Sequence, residues 1–286
     1  MGRVTVRTPM VRVRDGEPSA RVDTLVVEEP LEIRLKGKPL TITMRTPGHD
    51  FDLAAGFLVS EGVVRRAADI TAIRYCAGAT ADGSNTYNVL DVSLAEGVAM
   101  PEATLERNFY TTSSCGLCGK ASLDAVRTIA HWTVAEDPVR FTPEQIAALP
   151  DKLRAAQKVF DRTGGLHAAG LFDADGELLC LREDVGRHNA VDKLVGWAVQ
   201  QDRLPLRGTV LMLSGRASFE LTQKAVMAGI PVMAAVSAPS SLAVDLAEES
   251  GVTLIGFLRG TTMNVYAGRD RLNLEAASPT PMAAPG

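Results

Sequence analysis

Residues 209–236, TVLMLSGRASFELTQKAVMAGIPVMAAV, hold two short apolar runs separated by a stretch of helical period. Thr209 to Leu213 reads as a buried strand, Phe219 to Met227 as a helix and Pro231 to Val236 as a second strand. Strands joined through a helix in this way lie parallel in one sheet. Towards the carboxyl end the alternation continues with a helix from Leu242 to Glu249, a strand from Val252 to Phe257 and a short edge strand from Met263 to Tyr266. Towards the amino end, a helix from Asn189 to Gln200 follows two strands, His167 to Phe172 and Glu177 to Leu181, around the turn Asp173-Ala174-Asp175-Gly176. A helix from Asp151 to Arg162 precedes them and stops at Gly164-Gly165, and the whole unit begins near Thr142-Pro143-Glu144, where an N-cap, a first-turn proline and an acid open a helix. The order αββαβαβαβ predicts a three-layer α/β domain with a mixed sheet over residues 142–275.

A smaller α+β unit is expected over residues 21–110. Leu31 to Leu35 and Leu40 to Met44 alternate around Lys36-Gly37-Lys38-Pro39, a helix runs from Asp50 to Glu61, and strands follow at Ile70 to Cys76 and Tyr87 to Leu94. Residues 1–20 and 276–286 read as flexible tails, and residues 111–141 as a loop and connecting helix between the two units.

Composition excludes several classes. The 286 residues are 46% hydrophobic and 22% charged, with a formal net charge of -4, so neither nucleic acid nor a membrane surface is an expected partner. The amino terminus lacks an apolar signal core and no stretch is long and apolar enough to span a bilayer, which points to the cytoplasm. Four cysteines are too few for a disulfide scaffold in so long a chain.

Two of those cysteines carry the chemistry. In Thr111-Thr112-Ser113-Ser114-Cys115-Gly116-Leu117-Cys118-Gly119-Lys120 a pair of thiols precedes a helix-like run from Ala121 to Ile129. Free N–H groups and the helix dipole at such a start favour a thiolate, and Lys120 pushes the same way. Redox work, sulfur transfer and zinc binding all use paired thiols, but a closed zinc site needs two further ligands that no second CxxC supplies. Cys76 and Cys180 lie inside apolar runs and read as small buried hydrophobes. His49 and His131 read as solvated or capping residues, and His167 and His188 as candidates facing a cleft.

That cleft is expected at the carboxyl ends of the strands, where helix starts favour anions. Ser214-Gly215-Arg216, Ser237-Ala238-Pro239-Ser240-Ser241 and Arg259-Gly260-Thr261-Thr262 each follow a strand and offer hydroxyl, backbone or guanidinium donors. The element order also resembles the cytidine deaminase fold. At the two places where that fold takes its zinc ligands this chain has His188-Asn189-Ala190, without a glutamate, and Ser214-Gly215-Arg216-Ala217-Ser218, without a cysteine. The zinc chemistry is therefore not expected, and function has to be read from the new site.

The segments Thr112 to Gly119 and Glu183-Asp184-Val185-Gly186-Arg187-His188-Asn189-Ala190-Val191-Asp192-Lys193 together resemble the formate dehydrogenase accessory sulfurtransferase (FdhD) family. Lys224-Ala225, Gly229-Ile230-Pro231 and Gly256-Phe257-Leu258-Arg259-Gly260 extend the likeness over nearly everything between the tails. The resemblance implies a sulfur carrier that takes persulfide sulfur from a cysteine desulfurase and passes it to a molybdenum or tungsten bis(molybdopterin guanine dinucleotide) destined for formate dehydrogenase. It implies Cys115 as the persulfide carrier with Cys118 assisting, and Phe257, Leu258, Arg259, Gly260, Thr261 and Thr262 as the segment that binds the cofactor. Arg187, His188, Ser214 and Arg216 are further candidate ligands by topology. A ligand with two guanine arms suits a homodimer with two equivalent clefts. A thiol-disulfide oxidoreductase and a noncatalytic cofactor chaperone remain alternative readings of the same residues.

Overall fold

The computed structural model describes residues 4–76, 86–99, 126 and 129–274. Its first element lies where the sequence suggests a tail. Strands β1 (Thr5–Arg14) and β2 (Glu17–Val26) pair antiparallel along their whole length, so residues 5–20 are ordered structure and not a flexible end. The cause is local: Asp15 and Gly16 both take positive φ, 53° and 85°, in a two-residue connection that matches the twist of a hairpin. β-branched residues on either side then supply the strands.

Next come β3 (Glu29–Leu35), β4 (Lys38–Arg45), helix α1 (Asp50–Ser60), β5 (Ile70–Tyr75) and β6 (Val89–Leu94). They make a four-stranded sheet in the order β4-β3-β6-β5, in which β3 and β6 run parallel. The larger unit follows as α2 (Pro143–Ala156), α3 (Lys158–Thr163), β7 (His167–Phe172), β8 (Leu178–Asp184), α4 (Arg187–Gln200), β9 (Val210–Leu213), α5 (Phe219–Met227), β10 (Val232–Ala235), α6 (Ser241–Ser250), β11 (Thr253–Arg259) and β12 (Thr262–Ala267). Its six strands order as β12-β11-β10-β9-β7-β8, with β9, β10 and β11 mutually parallel and β8, β7 and β12 antiparallel to their neighbours. This is the mixed-sheet α/β architecture expected from the alternation.

One helix differs from expectation. Helix α2 opens at Thr142-Pro143 as expected, through a reciprocal capping box of Thr142 and Gln145, but it runs through Pro150 to Ala156, so no separate helix begins at Asp151. An interior proline removes one hydrogen bond, and burial of Ile146, Leu149 and Leu153 against the sheet offsets the loss. The chain breaks at Gln157 and resumes as α3.

The six-stranded sheet buries both faces. Ala168, Phe172, Val210, Met212, Val232 and Ile255 face the side covered by α2. Ala169, Leu171, Leu211, Leu213, Met233 and Leu254 belong to a second cluster with α4, α5 and α6. That second cluster continues through Leu53 and Leu58 of α1 to Leu31, Ile33, Leu90 and Val92 of the four-stranded sheet. Two sheets thus share one apolar core.

Helices α1 and α4 meet at glycines. A Cβ on Gly56 would fall on the Asp192 carbonyl, and one on Gly196 on the Asp52 carbonyl. The same junction carries buried charge: Lys193, 1% exposed, lies 2.7 Å from Asp184 and donates to the Thr46 carbonyl at 2.8 Å. Asp184 also accepts the Thr46 N–H at 3.1 Å, and Asn189 reaches the Met44 carbonyl at 2.7 Å. Asp192 accepts Ser60 at 2.7 Å and Lys224 at 2.8 Å. Much of the segment from Glu183 to Lys193 therefore joins the two sheets.

Candidate functional site

Parallel strands β9 and β10 deliver Ser214 and Val236 to the same edge of the sheet, where open α/β folds place their ligands. The loops beyond them are tied together, since Ala217 N–H donates to the Ala238 carbonyl at 3.2 Å and Ser240 N–H to the Ala217 carbonyl at 3.0 Å. Ser214, Val236 and His167 line a cavity of about 610 Å³ there, with Arg154, Phe160 and Gly165 on its far wall. That volume lies within the range of small-molecule pockets. Arg154 stacks over the Phe160 ring at 4.8 Å, a pairing made possible by the break between α2 and α3.

The polar groups of this edge are suited to an anion. Ser214 Oγ accepts the Ala168 N–H at 2.8 Å, which leaves its own proton free to donate. Burial, then the nearby Arg187 and His188, hold the His167 imidazole below its ordinary range. Arg187 opens α4, and its buried Nε has no hydrogen-bond partner among the described residues. A buried cationic donor without a partner is the kind of group an incoming anion satisfies. His188, by contrast, is occupied: its Nε2 lies 3.4 Å from Ser218 Oγ and 3.6 Å from Glu220 Oε2. The hydrogen bond to His188 is the largest of the contacts that hold the Glu220 carboxyl down at about 2.

The turn between β11 and β12 makes a rim beside the cavity, joined to Val236 of its wall. Phe257 sits in the left-handed region at φ 51° and is 42% exposed, while its N–H donates to the Ser237 carbonyl at 3.2 Å. Bulky residues rarely adopt that backbone conformation, and such outliers cluster at ligand sites. Gly256 beside it is required by the close approach of Pro239 and Tyr266. Arg259 donates through Nε to the Val236 carbonyl at 3.2 Å, which ties the rim to the cavity wall. Thr262 Oγ1 donates to the Arg259 carbonyl at 2.9 Å, and Gly260 and Thr261 are exposed beside it.

The expected site residues divide accordingly. Ser214, Phe257 and Arg259 gather at one edge, with Gly260, Thr261 and Thr262 in the rim turn. Leu258 does not fit the expectation: the irregularity of the β11–β12 ladder between Gly256 and Arg259, where Phe257 takes a positive φ, turns its side chain into the same buried core as Ile255, so it offers a ligand only backbone atoms. Arg216 is exposed on the loop after β9. Cys115 and Cys118 lie outside the described residues. Cys180 is inert as expected, its thiol pushed up to about 11 by burial. His49 stands at the N-cap position of α1, its side chain largely exposed and making no cap hydrogen bond, whereas His131 is half-buried: its Nε2 is buried without a partner among the described residues, and burial lowers its pKa. Arg154, Phe160 and Glu220 escaped sequence reasoning, for they sit on helix surfaces with no motif around them.

Fold and site together define an α/β protein with a cavity at its strand ends and a second sheet built onto the same core. A model of the FdhD/NarQ family matches residues 26–273. Proteins named sulfur carrier protein FdhD are similar along the whole chain: that of Streptomyces avermitilis is 72% identical over 97% of this chain and 99% of its own. That of Streptomyces coelicolor is 73% identical with the same coverage, and that of Mycobacterium tuberculosis 57% identical over 95% of this chain and 100% of its own. A crystal structure from Desulfotalea psychrophila, described as a formate dehydrogenase accessory protein, superposes with a TM-score of 0.73 at 22% identity, covering 94% of this chain and 100% of that one. The chain belongs to the FdhD/NarQ family.

Proposed function

We propose that this protein is a cytoplasmic sulfur carrier for formate dehydrogenase maturation. A thiolate at Cys115 attacks the outer sulfur of a cysteine desulfurase persulfide; a new S–S bond forms on Cys115 and the desulfurase cysteine leaves as a thiol after taking up a proton. Cys118, three positions further along the chain, assists or accepts that sulfur. The recipient is a molybdenum or tungsten bis(molybdopterin guanine dinucleotide), held as substrate at the strand-end cleft.

The observation that carries this reading is the exposed, backbone-strained Phe257 beside Arg259, whose Nε bonds to Val236 of the cavity wall, together with the unpartnered Arg187 Nε near His167 of the same wall. A ring presented in this way suits stacking on a guanine, and Arg259, Arg187 and the Ser214 hydroxyl suit phosphate oxygens. The names of the relatives, sulfur carrier protein, support the sulfur chemistry.

Incubation with a cysteine desulfurase and cysteine, followed by mass spectrometry, tests the first half. One added sulfur on the peptide bearing Cys115 is expected, and its absence from both Cys115 and Cys118 overturns the reading. A reversible dithiol couple without any persulfide would instead identify a thiol-disulfide oxidoreductase. Guanosine diphosphate tests the second half: calorimetric binding that weakens about tenfold or more in Arg259→Ala is expected, and no binding to the unaltered protein overturns the assignment of the cleft.

A further inference from the structure

Gln157 stands at the break between α2 and α3, where φ -77° and ψ 69° separate the two helices. Its backbone is held on both sides: the N–H donates to the Arg154 carbonyl at 3.3 Å, and the carbonyl accepts the Asp161 N–H at 3.1 Å. Helix α3 has no side-chain cap of its own, and the Glu183 carboxylate reaches over from β8 to accept the Val159 and Phe160 N–H groups at 3.2 and 2.9 Å. The break is therefore fixed in place.

The Gln157 side chain is not used by any of these ties. It is 4% exposed and lines the cavity of about 610 Å³, yet its carboxamide has no hydrogen-bond partner among the described residues. Neither amide atom is sealed off by protein, so both find their partners in the cavity. A buried amide without a partner costs stability, and such a group marks a place where something else binds. Asp151, Arg154 and Gln157 follow at steps of three along one face of the helix, and all three line the cavity. Arg154 is committed to the Phe160 ring and to Asp161. Asp151 is exposed, and its carboxylate makes no ion pair or hydrogen bond among the described residues.

The wall thus presents one amide, which donates and accepts, and one carboxylate, which only accepts. A carboxylate fits two adjacent donors, and an amide N–H beside it fits a carbonyl. An aminopyrimidinone ring has that order along one edge: an exocyclic amine, a ring N–H and a carbonyl oxygen. Adenine does not, because its ring nitrogen would set a lone pair against the carboxylate. We propose that Gln157 and Asp151 read an aminopyrimidinone edge and so decide which base the cavity accepts. Phe257 on the rim offers only a stacking face, which every base can use. The inference rests on the cleft reading above, and the ligand named there carries this edge in its guanine and again in its pterin.

Calorimetry on the full chain with guanosine diphosphate, adenosine diphosphate and neopterin tests it. The unaltered protein is expected to bind guanosine diphosphate at least about tenfold more tightly than adenosine diphosphate. Asp151→Asn is expected to abolish that preference, and Gln157→Leu to weaken guanosine diphosphate about tenfold. Thermal melting separates reading from a structural role. Replacing an unpartnered amide by an apolar group leaves Tm unchanged or raises it, so a lowered Tm in Gln157→Leu would reveal a protein partner for the carboxamide and overturn the proposal. Neopterin separates the two sources of the edge: variants that lose neopterin but keep guanosine diphosphate would assign the wall to the pterin. Affinities for both ligands that are unchanged in both variants overturn the inference and leave the cleft assignment standing. No binding of either ligand to the unaltered protein overturns both.

Discussion

Phe257 holds two conflicting demands. Its left-handed backbone costs free energy that a glycine would not, and its exposed ring recovers little of that by burial. Phe257→Gly is therefore expected to raise stability, by up to about 1 kcal/mol in urea denaturation, while weakening guanosine diphosphate binding. A variant that is destabilised, or that binds as well as the unaltered chain, would show that the ring packs structurally. A similar division of roles separates His188 from Arg187. Both were legible in the sequence as candidates at the start of a helix, yet only side-chain geometry separates them. His188 is taken up by Ser218 and Glu220, whereas Arg187 keeps an unpartnered Nε. No sequence signal marks Leu258 as unlike its neighbours in the rim segment, because the side it occupies depends on the irregularity of the β11–β12 ladder around Phe257.

At the level of elements, the periodic runs were readable and the interruptions were not. Helix α5 and strand β7 begin and end where hydrophobic period and flanking turns place them. The hairpin β1–β2 was hidden because its residues are mostly exposed, so arginines and prolines masked the alternation, and Asp15-Gly16 was the one local clue. The crossing of α1 and α4 was equally silent, since a glycine inside a helix looks like a weakness until a partner backbone is seen against it. Gly196→Ala would drive a methyl group into the Asp52 carbonyl, and neither backbone has a flexible end to yield. A loss of at least about 3 kcal/mol is expected on thermal or urea unfolding, against a few tenths gained if the position were an ordinary helical site. Lys193→Met strands the Asp184 carboxylate in the same junction, although two backbone N–H groups still reach it. A destabilisation of about 3 kcal/mol is expected there too, measured in the same way; a neutral result would mean that water enters the joint.

On the scale of the molecule, the two units separated by sequence reading are bound by more than contact. Leu53 and Leu58 of α1 lie in the same buried cluster as the residues of α4 and of the six-stranded sheet, and Asp184, Asp192 and Lys193 find partners at Thr46 and Ser60 on the other side of the junction. Residues 129–274 expressed alone would expose that apolar face and leave three ionisable groups short of partners. Each large side chain uncovered costs about 1.5–3 kcal/mol, so a handful of them equals the roughly 5–15 kcal/mol that stabilises a typical domain. The fragment is therefore expected to lack a cooperative thermal transition, whereas the full chain melts in one step. Trp132 and Trp197, the two tryptophans of the chain, both lie in the fragment, so the same fluorescence reports on each protein. A sigmoidal melt of the fragment at a temperature near that of the full chain would establish the six-stranded sheet as an independent folding unit and reduce the buried junction to an interface between domains.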